Sequence, residues 1–291
     1  MDSIESSLLL LDQVTPLLYV FGIGAIVLEA LVMVIRGLKR NKHERYLSIK
    51  CGILAFGVDG VLQATVIFAV QLWVYQYRFF DIGFVWWAWV LCFLVNDWMF
   101  YVSHRAQHES RLLWAAHVVH HSPRSYDLTT GIRGSIFGTV ATLPFICWIP
   151  LLGVHPVMFL VADKLFKFYG LAYHTEAVDK LGWLDRVLIT PSVHRVHHAT
   201  NPQYIDKNYG GALLVFDRLF GTWEPEVETP RYGLVKDWHN YDLVDCQTHE
   251  IRDLWRDVHT APTWADSIRY LYKPPGWAPQ TERLTSPLPA P

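Results

Sequence analysis

Apolar residues dominate the first 173 positions in five runs separated by short polar links, and the pattern then stops. The runs cover 14–35, 51–77, 82–102, 134–153 and 156–173. A bilayer crossing takes about 20 mostly apolar residues as a helix, and four or five of these runs qualify. The last two form a hairpin, 134–173, broken at Gly153, His155 and Pro156. Residues 1–173 hold 24 Asp, Glu, Lys and Arg, against 28 in the remaining 118, and none falls between Arg133 and Asp163. Buried helices of a large soluble α-protein are the competing reading. The runs are too long and too poor in charge for it.

Lys and Arg in short loops mark the cytoplasmic side. The link 36–50 carries Arg36, Lys39, Arg40, Lys42, Arg45 and Lys50, so it is expected inside, with Asp2 and Glu5 outside. Trp73, Tyr75, Tyr77, Trp86, Trp87 and Trp89 would form the aromatic belt at the far interface. The third run returns the chain to the cytoplasm, and the hairpin leaves and comes back to His174 on the same face. No secretory signal pattern is expected before the first run. From about residue 175 the composition is that of a soluble segment, with turn signals at Asn201-Pro202, Gly210-Gly211, Pro225 and Pro230. Helices are expected over 248–259 and 264–271, followed by a proline-rich surface segment, 273–291.

These readings predict an all-α integral membrane protein with about four transmembrane helices, the third and fourth regions flanking the histidine clusters. A cytoplasmic helical cap would hold a di-metal site. The expected division is 1–103 for the N-terminal transmembrane helices, 104–238 for the histidine-bearing catalytic region with its hairpin, and 239–291 for a cytoplasmic C-terminal tail.

Composition sharpens this picture. Of 291 residues, 52% are hydrophobic and 18% charged, against about 25% charged in an ordinary soluble domain, which excludes intrinsic disorder. A net charge of −2 gives no basic footprint for nucleic acid. Cysteines 51, 92, 147 and 246 form neither a C-x-x-C motif nor a dense framework, so a disulfide scaffold is excluded.

Histidine is the unusual component. Of 14, two lie in HRAQH (His104, His108), three in HVVHH (His117, His120, His121), three in HRVHH (His194, His197, His198), and His174 stands alone in YHTE. Positions i, i+3 and i+4 of a helix share a face, so each cluster aims its imidazoles one way and the clusters can converge. His43, His155, His239, His249 and His259 read as ordinary surface or core residues. Packed imidazoles without a ligand would leave unsatisfied nitrogens or repelling cations, whereas a metal binds the neutral ring. Imidazole suits zinc, copper, iron and nickel. Nine are too many for one structural zinc, and two ions with four or five each fit the count. H-E-x-x-H is absent, since ESRL follows His108, as is the G-x-S-x-G elbow. A redox-active iron pair that activates dioxygen is the remaining match. A zinc-dependent membrane hydrolase and a metal transporter stay open as rivals, although transporters place ionisable groups near mid-membrane.

The three clusters, following apolar runs, resemble the fatty acid hydroxylase and sterol desaturase superfamily of membrane di-iron oxygenases. The stretches SHRAQHESRLLWAAHVVHHSPRSYDLTTGIR and TPSVHRVHHATNPQYIDKNYGGALLVFDRLFGTWEPE are similar to its alkylglycerol monooxygenase branch over roughly 95–235. YIDKNYGG and LFGTWEPE are shared with bacterial sterol-desaturase-like proteins. The resemblance implies iron ligation by His104, His108, His117, His120, His121, His174, His194, His197 and His198. Related hydroxylases can carry one more histidine just before His174, where this chain reads FKFYGLAYH, so water or a carboxylate would complete one iron. The resemblance also implies hydroxylation or desaturation of a membrane lipid C–H bond using dioxygen and two external electrons, with tetrahydropterin as the donor. The lipid would be an alkylglycerol, with sterol, hopanoid or fatty acyl chains as alternatives, and zinc can substitute for iron in preparations.

Glu109, which follows the first cluster, is a catalytic candidate on this resemblance. Asp97 is a second, lying seven residues before His104 on the same helical face, where an imidazole N–H would be its partner. Tyr126, Asp127, Asp206, Lys207 and Asn208 would line the cytoplasmic mouth. No G-x-G-x-x-G loop or haem-binding domain is visible, so the electron donor is expected to be a separate molecule.

Overall fold

The computed structural model describes residues 2–37 and 40–279, and every regular element in it is helical. The helices are α1 (Asp2–Ile35), α2 (Lys42–Leu62), α3 (Phe68–Tyr75), α4 (Trp86–Glu109), α5 (Arg111–His121) and α6 (Leu128–Ile132). They continue with α7 (Gly138–Ile146), α8 (Pro156–Ala172), α9 (Pro191–His197), α10 (Val215–Phe220), α11 (Leu243–Thr260) and α12 (Trp264–Tyr272). A π-helical turn, Gln63–Ile67, joins α2 to α3 without a break. Among the described residues there is no β-strand, only isolated bridges between Leu188 and Leu213 and between Ala199 and Tyr232. Lys39 of the basic link and positions 280–291 of the proline-rich end lie outside the described residues, as does the side chain of Asp2.

Two helices, Ile4–Ile35 and Lys42–Tyr75, are long and apolar enough to cross a membrane. Both turn large apolar side chains outward, among them Val20, Phe21 and Ile35 on the first and Ile53, Phe56 and Val61 on the second. A water-facing surface rarely carries so continuous an apolar patch. The third apolar run behaves differently. Its helix starts at Trp86 and runs unbroken through the first histidine cluster to Glu109, so one rod links apolar module and site. Ala88, Cys92 and Met99 of α4 bury against Ile149, Val154, Met158 and Phe159 of the hairpin, which reverses at Gly153 between α7 and α8.

Polar ties then fasten α1 to the site. The buried Glu29 carboxylate accepts the Leu128 N–H (2.8 Å) and the Thr175 hydroxyl, one residue past His174. Glu29→Leu strands both donors, and an unpaired buried polar group costs about 1–3 kcal/mol. The variant is expected to unfold at lower temperature in detergent, with Glu29→Gln retaining most of the stability because it keeps an acceptor.

The helices predicted over 248–259 and 264–271 are found as α11 and α12, longer by five residues at the start of the first. Both are capped by side-chain acceptors, Asp242 and Thr263, and both are fixed to α5 through Arg111. Its guanidinium reaches Glu250 (2.8 Å) and Asp257 (2.8 Å) and lies over the Tyr270 ring. Arg111→Ala leaves the Glu250 carboxylate without its buried partner, at a cost of about 3 kcal/mol. Limited proteolysis should then cut within 243–272 before the rest of the chain.

Candidate metal centre

Four stretches of chain converge below this C-terminal layer. The end of α4 contributes His104 and His108, and α5 contributes His117, His120 and His121. His174 follows α8, and α9 with its C-cap contributes His194, His197 and His198. The structure brings all nine together in two groups. His104, His108, His117, His121 and His197 form one, and His120, His174, His194 and His198 form the other. Within each group the donor atoms lie within 4.8 Å of one another. The clusters are not assigned one per group: α5 divides between the two because adjacent helical residues point about 100° apart, and α9 divides likewise.

Outer hydrogen bonds fix the ring orientations. The Nδ1–H groups of His104 and His197 donate to the carbonyls of Tyr209 (2.8 Å) and Lys207 (2.9 Å). Those of His174 and His120 donate to Gly170 (2.6 Å) and Arg133 (3.2 Å). A carbonyl can only accept, so in these four rings the proton sits on Nδ1 and Nε2 presents a bare lone pair. Yet Nε2 of His174 lies 3.2 Å from Nε2 of His120, and neither can donate to the other. The same facing contact recurs at 3.0 Å between His104 and His117 and at 3.1 Å between His197 and His121. His108 Nε2 is buried with no hydrogen-bond partner.

Burial, reinforced by neighbouring imidazoles, pushes the pKa values of His104, His117, His121, His174, His194, His197 and His198 well below the ordinary histidine value. Burial also takes His120 down to about 4. The rings are therefore neutral, and converging lone pairs need a cation. Two metal–imidazole bonds of about 2.1 Å at right angles hold their nitrogens roughly 3.0 Å apart, matching the observed contacts. The donor set fits a metal ion in each group.

Close packing supports this arrangement. At Gly131 in α6 a Cβ would stand 3.0 Å from the His174 ring, tighter than ordinary packing, so any larger residue would press on that imidazole. Arg133, buried at the end of α6, donates to the Val119 carbonyl (2.9 Å) and the Ser122 hydroxyl (2.7 Å) while its own carbonyl receives His120.

The other expected residues are placed variously. Glu109 is half-exposed and pairs with Arg105 at 2.8 Å, outside both histidine groups. Asp97 does not accept an imidazole N–H, contrary to the sequence expectation. Seven residues span about 10 Å of helix, beyond its short side chain, and its carboxylate instead accepts the backbone N–H groups of Ala212 (2.8 Å) and Leu213 (3.1 Å). Tyr126 is buried, its ring centroid 5.1 Å from that of His198, and Asp127 caps α6. Asp206 is exposed with its carboxylate 3.5 Å from His108 Nδ1, Lys207 supplies its carbonyl, and Asn208 is fully buried rather than at a mouth. Sequence reasoning passed over Asp217, a buried carboxylate inside the largely apolar word LLVFDRLF, although an acidic residue there was a readable signal.

Residues 89–222, which hold all nine of these histidines, match the model of the fatty acid hydroxylase family. Among characterised proteins the chain is similar to alkylglycerol monooxygenases. The Homo sapiens protein is 36% identical over 213 residues, covering 72% of this chain and 47% of that protein. The Danio rerio protein is 35% identical over 283 residues, covering 94% of this chain and 61% of that protein. An ornithine lipid hydroxylase of Rhizobium tropici is 34% identical over 137 residues, 46% of this chain and 41% of that protein. The chain spans about half the length of the curated relatives it matches. No solved structure matches it.

Proposed function

We infer that this protein is a membrane-bound di-iron oxygenase that hydroxylates a lipid C–H bond, with alkylglycerols as the first substrate class to test. The observation that carries the reading is the pair of bare nitrogens on His120 and His174, 3.2 Å apart, whose protons are committed to carbonyls. Such an arrangement is stable around a cation, and close Nε2-to-Nε2 contacts of 3.0 and 3.1 Å recur in the five-histidine group. Similarity to alkylglycerol monooxygenases and to an ornithine lipid hydroxylase supports lipid oxidation.

Iron held by the five- and four-histidine groups would supply reductive activation of dioxygen for insertion of one oxygen atom into a C–H bond. The chain's own part is to keep the nine imidazoles neutral and aimed inward and to seat them beside the apolar helices. In this reading about four helices cross the bilayer, α4 and the hairpin among them, and the histidine groups face the cytoplasm. A lipid chain rising from the bilayer then meets the centre, and an external reductant, tetrahydropterin by the family likeness, supplies two electrons.

Lipid mass spectrometry of membranes with and without the protein, under heavy-isotope dioxygen, tests this. The expected result is a lipid product, or the aldehyde released from it, carrying one labelled oxygen atom, absent for His120→Ala. A product labelled from water, with zinc and no iron in the active preparation, would instead establish the hydrolase.

A further inference from the structure

One segment carries the outer contacts of a single histidine group. Residues 206–209 present the Asp206 carboxylate to His108, the Lys207 carbonyl to His197 and the Tyr209 carbonyl to His104. These three rings come from α4 and α9 and belong to the five-histidine group. The four-histidine group takes nothing from this segment: His174 and His120 use carbonyls of Gly170 and Arg133.

The segment has no regular structure, and it is held by buried side chains. Asn208 adopts φ 57°, a left-handed conformation that Asn tolerates better than most residues. Its side chain donates to the Val193 (3.0 Å) and Glu224 (2.8 Å) carbonyls and accepts the Glu224 N–H (2.8 Å). Asp217 accepts the N–H groups of Tyr209 (2.7 Å) and Gly210 (2.8 Å), and Asp97 takes those of Ala212 and Leu213. All three side chains are fully buried. Moving Tyr209 or Lys207 displaces an acceptor that defines the tautomer and tilt of an imidazole, and that orientation governs metal affinity.

We propose that 206–213 is a template for the five-histidine centre alone, with Asn208 and Asp217 as its positioning residues, so that the two metal sites are supported independently. The proposal rests on the reading of the histidine groups as metal sites.

The test is a zinc titration of the full chain in detergent against a chromophoric chelator, which reads two dissociation constants in the wild type. Asp217→Asn is expected to weaken one of them about 10- to 100-fold and leave the other unchanged. Pairing it with a ligand deletion locates the effect. Asp217→Asn with His104→Ala should keep the four-histidine constant at its wild-type value, and Asp217→Asn with His174→Ala should show only the weakened one. Asn208→Asp, which turns carboxylate oxygens toward two carbonyls, should reproduce the asymmetry and serves if the Asp217 variant does not fold. Two unchanged constants, or equal weakening of both, would overturn the template. A wild-type chain that binds no zinc would overturn the metal reading itself.

Discussion

On the proposed di-iron reading, His174→Ala is expected to reduce lipid oxidation by about a thousandfold or more, roughly 4 kcal/mol of barrier, and to lower iron from two ions per chain to one. Among the described residues His174 is the one histidine of these two groups outside the three clusters, and its Nε2 stands 3.2 Å from that of His120 and 2.9 Å from that of His194. Alanine removes one of four donors and breaks the chain of facing nitrogens, whereas the neighbouring group shares none of its ligand atoms. Iron analysis and product formation on the same preparation check both parts. Wild-type product yield from the variant would sink the two-ion reading.

Gly211→Ala should be nearly as damaging through packing alone. A Cβ there would lie 2.2 Å from Cζ of Phe166 and 2.7 Å from Cδ1 of Phe100, inside van der Waals contact. Phe166 is buried against Phe100, whose ring packs 5.1 Å from that of His104. Either the aromatic stack shifts under the ligand or the loop carrying its acceptor lifts. Overpacking of this kind costs about 1–3 kcal/mol, and the displacement should weaken metal binding as well. Adding Phe166→Ala opens the space, so the double variant is expected to regain affinity relative to Gly211→Ala alone, a coupling that a double-mutant cycle reads directly.

Part of this architecture was legible in the residues. The two longest charge-poor runs became the two candidate spans, and i, i+3, i+4 spacing placed each histidine cluster on a helical face. What spacing does not contain is the division of those faces. His120 and His121 are neighbours in sequence and point apart on the helix, but which partners each ring meets depends on where the end of α8 and α9 come to rest. Asp97 shares a helical face with His104, but the partner on that face is a backbone loop more than a hundred residues later in the chain. Four of the outer contacts are carbonyl oxygens, which every residue possesses and which therefore leave no mark in the amino-acid pattern. Gly131 is silent for a related reason, since its contribution is a missing side chain beside a ring 43 residues away.

The Glu29 tie also bears on the order in which the molecule is assembled during synthesis. Its two donors lie 99 and 146 residues further along the chain. The first helix leaves the ribosome early, yet its carboxylate waits until Thr175 has been made. By then α4 and α5 have delivered five of the nine imidazoles, while the three of α9 are still to come. Docking of α1 and completion of the histidine groups thus fall in the same interval of synthesis, and a chain stalled before α9 lacks three of the nine imidazoles.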